Sequence, residues 1–269
     1  MDRDPRIRLF IDIGTNCEIV LGGREWLLAT AAPAGPAFEG ASIRCGMRAA
    51  DGAIEAVAVT EDGDLRLTVI GDTEPQGLCG SGLVDAVAAL AEAGVIDSSG
   101  RFAQDLLERA PDPEAVPGLA HRLAERLTMI GKERVFVLHW SADRDPAGSV
   151  YLSQRDIREL QFAKAAIATG WRILLEEASL EIEDVKQVLL AGSFGSYLNA
   201  KSAIRIGLVP DVGTRRIIAA GNVAGEGAKM ALLSVRDRAA ALALLGEVNY
   251  VELSDRADFN DRFIDQLSF

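Results

Sequence analysis

The sequence has little of what redox or metal chemistry usually requires. Three of its 269 residues are cysteine, two are histidine, and aromatic residues make up 6%. Cys17, Cys45 and Cys79 are odd in number and too far apart for zinc or iron–sulfur ligand spacing. Buried, reduced thiols are therefore expected, with no iron–sulfur cluster in this chain. His121 and His139 have no neighbours that suggest a metal cluster or a triad, and read as ordinary side chains. No apolar run is long enough to cross a bilayer, and Met1-Asp2-Arg3-Asp4-Pro5 lacks the cationic start and apolar stretch of a signal peptide. A cytoplasmic protein without a membrane partner is the expectation. A basic surface is lacking too: the formal charge of −12 is spread without a long acidic block, which argues against nucleic acid as a partner.

What is present is a sizeable core in prospect, with 49% hydrophobic residues and mixed charge, enough for one domain or two small ones. Two glycine-rich corners stand where apolar strands run out. The first is Phe10-Ile11-Asp12-Ile13-Gly14-Thr15-Asn16, and the second is Val188-Leu189-Leu190-Ala191-Gly192-Ser193-Phe194-Gly195. A strand that ends in Asp-x-Gly-Thr exposes backbone N–H groups, a hydroxyl and a carboxylate at its tip, the set that holds phosphate oxygens and a hydrated magnesium ion. Gly192 and Gly195 lack a Cβ, so a flat ring such as adenine could lie against the backbone there. A plain strand-to-turn glycine is the competing reading of either corner alone. A third glycine motif, Gly221-Asn222-Val223-Ala224-Gly225, opens an apolar helix after them.

Along the chain, Ile7 to Ile13 reads as a buried strand, followed by a hairpin of Glu18–Leu21 and Glu25–Ala29 around Gly22-Gly23. In the loop Pro33 to Gly40, Glu39 is the only charged group; it could start a short helix, or bond a ribose or a magnesium-bound water. A second hairpin, Ala53–Val59 with Leu65–Ile70, precedes a helix with apolar Leu83, Val84, Val87, Leu90 and Ala91, which Ser81 is placed to cap. Its glycine-rich start serves either tight packing or an anion. Residues 97–150 read as an elaboration broken by Pro111, Pro113, Pro117 and Gly118, with one strand at Arg134–Leu138. Ser153 and Asp156 resemble a capping pair for a long helix ending near Ala178, whose buried face carries Leu160, Ile167, Trp171, Leu174 and Leu175. Lys164 interrupts that helix as a cation that either reaches a ligand or snorkels to water. After the second corner, a helix near Asn199–Ile206, the strand Ile217–Ala219 and the helix Asn222–Leu233 demand a largely parallel sheet. Residues 246–269 close the chain with a short strand, Tyr250–Leu253, and a docking helix carrying Phe259, Phe263, Leu267 and Phe269.

These features, with Gly35-Pro36-Ala37-Phe38-Glu39-Gly40, Ile43-Arg44-Cys45-Gly46-Met47, Cys79-Gly80-Ser81-Gly82-Leu83, Asp156-Ile157-Arg158-Glu159-Leu160-Gln161 and Ala163-Lys164-Ala165-Ala166-Ile167, resemble the C-terminal part of the reductive activators of corrinoid proteins over almost the whole chain. The resemblance implies an α/β fold: one ribonuclease H-like lobe of the actin, Hsp70 and sugar-kinase (ASKHA) ATPases spanning 1–269, with a mixed sheet, an antiparallel N-terminal hairpin and helices on both faces. It implies ATP and magnesium as cofactors, coupled to reduction of the cob(II)amide of a methyl-transferring corrinoid protein to cob(I)amide. Asp12 would hold magnesium through water, with Glu39 beside it as a catalytic group. Gly14, Thr15, Asn16 and Gly35 would meet phosphate oxygens, and Gly192, Ser193, Phe194, Gly195, Gly221 and Asn222 would pack on the adenosine. The chain departs from the family at Cys17, where Gly is usual, at Ala31-Ala32, where Ser-Thr is common, and at Ser193. The first lobe and the [2Fe-2S] ferredoxin domain would come from a partner chain, or a second copy would form a homodimer. Two other readings stay open: a docking module without chemistry, and a compact two-lobe kinase or dehydratase activator. The last requires the Asp12 and Leu190 strands to lie in different sheets.

Overall fold

A computed structural model describes residues 4–104, 119–195 and 197–269. Among the described residues the strands are β1 (Arg8–Asp12), β2 (Cys17–Gly22), β3 (Leu27–Ala32), β4 (Ala53–Val59), β5 (Leu65–Val69), β6 (Gly77–Leu78), β7 (Leu127–Ile130), β8 (Glu133–His139), β9 (Val150–Ser153), β10 (Gln187–Ala191), β11 (Ile217–Gly221) and β12 (Val248–Tyr250). The helices are α1 (Gly80–Glu92), α2 (Leu119–Ala124), α3 (Gln154–Glu177), α4 (Gly192–Gly195), α5 (Ala200–Arg205), α6 (Val223–Leu233), α7 (Val235–Leu244) and α8 (Phe259–Asp265). Pro111, Pro113, Pro117 and Gly118 lie outside the described residues. Two compact units emerge: one combines the segment ending at Gly35 with Lys164–Gln266, the other Pro36–Ala163 with Leu267–Phe269.

The first unit is built on a six-stranded mixed sheet in the order β11-β10-β1-β2-β3-β12. β1 pairs parallel with β10 and antiparallel with β2, β10 pairs parallel with β11, and β3 pairs parallel with β12. The apolar run Val188 to Ala191 thus sits between two neighbours, as continuous hydrophobicity requires of a strand covered on both faces. The Asp12 and Leu190 strands are adjacent in one sheet, which removes the ground for the compact two-lobe reading.

The C-terminal half of α3 packs on this sheet. Gly170 has no side chain, and a Cβ there would meet Ile19 Cδ1 at 2.6 Å. Ile167, Trp171, Leu174 and Leu175 are buried along the expected face, and the Trp171 indole N–H donates to the Leu208 carbonyl at 3.2 Å. Each such side chain contributes roughly 1.5–3 kcal/mol on leaving water.

Lys164 does not snorkel. It is 2% exposed, and a Cβ added at Gly207 would lie 3.5 Å from its Nζ. Its place on the inner face of α3 leaves no route to water. Burial, with the Arg172 charge adding to it, lowers the ammonium from 10.5 to about 8. Between those values the unfolded chain binds more protons than the folded one, so stability from this group rises as pH goes from about 8 toward 10.5. Lys164→Met is expected to lack that gain, seen by comparing urea midpoints of the two proteins across the window. Parallel profiles would refute it.

In the second unit, β5-β4-β6 and β7-β8-β9 form two three-stranded sheets. The strand expected at Arg134–Leu138 is real and longer, and β7 and β9 flank it on either side. Ser81 does not cap α1: the N-cap is Cys79, with no side-chain cap bond, and Ser81 lies buried within the first turn. Gly82 explains why, because a Cβ there would fall 2.1 Å from the Ile54 carbonyl oxygen on β4. The glycines at this helix start serve close packing on a strand. Ser153 and Asp156 do cap α3: the Asp156 carboxylate accepts from the Ser153 N–H at 2.8 Å, and the Asp156 N–H donates to Ser153 Oγ at 3.2 Å. The expected C-terminal helix stops at Asp265, so Leu267 and Phe269 do not share a helical face with Phe259 and Phe263. Instead the Leu267 carbonyl accepts from Gln161 Nε2, and the Phe269 N–H donates to the Ser98 carbonyl.

Candidate functional site

Three strand ends form one row. In register, Gly221 of β11 lies beside Ala191 of β10, which lies beside Asp12 of β1. These are the carboxyl ends of three parallel strands, where open α/β sheets bind ligands. Each is followed by a sharp change of direction. The Asp12 strand turns through Gly14, Thr15 and Asn16 into β2, the β10 strand enters the short turn α4, and β11 gives way to α6.

Local bonds hold the first turn. The Ile13 N–H donates to the Ala191 carbonyl at 3.0 Å, and the Cys17 thiol donates to the Gly14 carbonyl at 3.2 Å. Cys17 is buried, so its sulfur closes the corner from beneath while Thr15 and Asn16 stay exposed. The Gly35 N–H donates to the Thr15 carbonyl at 2.9 Å, which brings the loop after β3 to the same corner. Asn222 caps α6 by accepting from the Gly225 N–H at 2.9 Å.

The glycines play different parts from those the sequence suggests. At Gly192, with φ +92°, a Cβ would meet the Ile13 carbonyl oxygen at 2.5 Å and Asp12 Oδ1 at 2.8 Å. At Gly195 it would meet the Leu190 carbonyl carbon at 3.2 Å. At both positions protein atoms stand on the side where a Cβ would be, which is why each is glycine. Gly35 and Gly221, with φ +73° and +76°, have nothing within 4 Å of the added Cβ; these are the open glycines of the row. Whether a glycine faces inward or outward depends on the neighbouring strand, which local sequence does not encode.

Asp12 is half-buried, and burial raises its carboxyl above the usual carboxylate range. Among the described residues no cation pairs with it, nor does any group of three His, Cys, Asp or Glu come together as a direct metal site. A desolvated lone carboxylate beside exposed backbone fits a hydrated magnesium ion whose other ligands are water and phosphate. Asp12, Gly14, Thr15, Asn16, Gly35, Gly192, Gly221 and Asn222 are brought to this corner, with the backbone of Ser193, Phe194 and Gly195 in α4. Glu39 belongs to the second unit, exposed in a turn over residues 36–40 and not at a helix start.

Cys17 and Cys79 are buried and Cys45 is partly so, and none of the three is in a disulfide among the described residues. His139 bonds Glu74 Oε1 at 2.7 Å on the surface of the second unit. Among the described residues, no helix is long and apolar enough to cross a membrane.

Comparison with known proteins matches this architecture. The family described as the C-terminal domain of RACo, the ASKHA domain, matches residues 6–269. The chain is 35% identical over 266 residues to "Corrinoid activation enzyme RamQ" of Eubacterium limosum, covering 98% of this chain and 43% of that protein. It is 24% identical to the "[Co(II) methylated amine-specific corrinoid protein] reductase" of Methanosarcina barkeri, covering 98% and 46%. A solved structure, "Reductive activator for corrinoid,iron-sulfur protein", superposes with a TM-score of 0.83 at 39% identity, covering 98% of this chain and 40% of that one. The chain thus spans less than half the length of the curated relatives it matches. With the sheet order and the match over nearly its full length, the chain belongs to the family of RACo C-terminal ASKHA domains.

Proposed function

We propose that this chain is the nucleotide-binding lobe of an ATP-dependent reductive activator, supporting reduction of cob(II)amide to cob(I)amide in a corrinoid protein. One observation carries the reading: three parallel strand ends gather a partly desolvated carboxylate, without a cation partner among the described residues, and open backbone at a single corner. The names of the relatives support the substrate class. Asp12 orients magnesium-bound water, the Thr15 hydroxyl and the N–H groups of Gly14 and Asn16 receive phosphate oxygens, and the open backbone at Gly35 and Gly221 lets the nucleotide approach. The Gly192–Gly195 turn and Asn222 border the adenosine. Magnesium, when bound, supplies positive charge to the phosphate oxygens.

Phosphoryl transfer rests on positioning and charge neutralisation, so one corner should bind weakly and turn over slowly until a facing lobe is added. The relatives' additional length supports a partner chain or domain that supplies that lobe and a [2Fe-2S] electron donor. ATP assists an uphill reduction only through different affinities of the activator for the states of its partner.

Titration calorimetry with magnesium-ATP tests the reading. Binding is expected for the wild-type chain, and Asp12→Asn should weaken it by about 10–100-fold, the worth of a hydrogen bond to a charged group. The same change should raise the melting temperature at pH 7. A carboxyl whose folded value is raised imposes its full desolvation cost above that value, and asparagine carries no charge. No heat with nucleotide at about 1 mM, a Kd near the weak end of measurable affinity, would leave a docking role in its place.

A further inference from the structure

A cleft of about 550 Å³ opens in the first unit beside the C-terminal half of α3, a volume in the range of small-molecule sites. The turn over residues 179–182 and the end of α8 complete its walls. That turn leads toward the amino end of β10, whereas the nucleotide corner stands at the carboxyl end, so the two sites are separate.

Leu175, Leu180 and Ile182 make the apolar part of the lining. Two polar groups in it have no protein partner. Thr169 is 1% exposed, and its Oγ1, shielded from water, has no hydrogen-bond partner among the described residues. The Arg172 guanidinium lies 4.5 Å from the centre of the Trp171 ring, and among the described residues it has neither an ion pair nor a hydrogen bond. Stacking uses the face of the guanidinium and leaves the N–H groups in its plane for an acceptor. The other cation of the cleft is engaged: Arg262 meets Glu176 through Nη1 to Oε2 at 2.8 Å and Nη2 to Oε1 at 3.0 Å. Glu181 accepts from the Asp184 N–H within its own turn.

We propose that this cleft binds a small monocarboxylate with an apolar body, its carboxylate on Arg172 and Thr169 and its body against Leu175, Leu180 and Ile182. A guanidinium fork matches a carboxylate through paired N–H groups. A buried hydroxyl without a partner is costly until one arrives. One unpaired guanidinium balances one negative charge. The carboxylates of Glu176, Glu181 and Asp265 on the same walls oppose a second, which disfavours phosphate.

Amide NMR titration of the full chain is the test. Hexanoate is the probe, hexanamide supplies the same body without charge, and inorganic phosphate supplies charge without the body. Hexanoate should give saturable shifts at residues 169–182 with a Kd of about 1–10 mM, the affinity so small a ligand can reach. Hexanamide and phosphate should each bind at least about 10-fold more weakly. Arg172→Gln should raise the hexanoate Kd by at least about 10-fold and leave the hexanamide shifts as they are. Thr169→Val exchanges an unbonded hydroxyl for a methyl, so it should raise that Kd about 3- to 10-fold while the melting temperature holds or rises. A merely structural threonine would show the opposite pair of results. No saturation at about 50 mM hexanoate, well above the expected Kd, overturns the proposal. So does hexanamide or phosphate binding as tightly as hexanoate, or an Arg172→Gln chain with an unchanged hexanoate Kd.

Discussion

Gly192→Val is expected to lower the melting temperature by at least about 10 °C, at roughly 2–4 °C per kcal/mol for a chain of this size. Two costs combine at this residue. Its φ of +92° is a backbone conformation that a β-branched residue adopts only under strain, about 1–3 kcal/mol. Its Cβ would also sit 2.5 Å from the Ile13 carbonyl oxygen, which cannot easily withdraw because the Ile13 N–H is bonded to the Ala191 carbonyl. Relief requires parting β1 from β10 at the corner where Asp12 stands. Magnesium-ATP binding should therefore be lost even in the protein that remains folded. Gly221→Ala separates the two costs: its φ is +76°, yet nothing lies within 4 Å of the new Cβ, so only backbone strain of about 1 kcal/mol is expected. Thermal melts of the two variants decide the matter. A Gly192→Val melt within about 2 °C of wild type, less than a single kcal/mol would produce, would sink the claim.

The contrast between these glycines shows where local sequence stops being informative. β1 and β10 are legible because their apolar runs are continuous and end in glycine. Their adjacency is consistent with the strand and helix order around them. The capping of α3 is legible because Ser153 and Asp156 are three residues apart and their bonds are local. The roles of Gly82, Gly192 and Gly195 are not, since each is set by an atom on another strand or turn: the Ile54 carbonyl, the Ile13 carbonyl and the Leu190 backbone. The snorkelling alternative for Lys164 fails for a similar reason, since the helix turns that position inward toward Gly207. β7 and β9 are four residues each and carry too weak an alternation to be seen without β8 between them. The helix after Asn222 reads as apolar, and its exposure is visible only in the folded chain.

Asp156→Ala should cost about 3–5 kcal/mol, because this carboxylate is 0% exposed and joins two parts of the second unit. It accepts from the Arg44 N–H at 2.9 Å and from the Ser153 N–H at 2.8 Å, so the loop after Ile43 is tied to the start of α3. Alanine leaves both donors without this acceptor, at about 1–3 kcal/mol each, and removes half of a capping pair worth about 1 kcal/mol. Asp156→Asn should lose less, since its amide oxygen still serves one donor while its NH2 faces the other. The two differ from wild type in pH dependence as well. Burial raises the Asp156 carboxyl despite the N–H groups that oppose the shift. With its folded value above the unfolded one, the folded state holds the extra proton in the window above about pH 3.9, and stability from this group falls as pH rises through it. Neither the alanine nor the asparagine variant can show that fall. Urea denaturation of the three proteins between acid and neutral pH should therefore give one sloping and two flatter profiles, with alanine lowest. An alanine variant as stable as wild type would show that water replaces the carboxylate at no cost, and the tie between Arg44 and α3 would then carry none of the unit's stability.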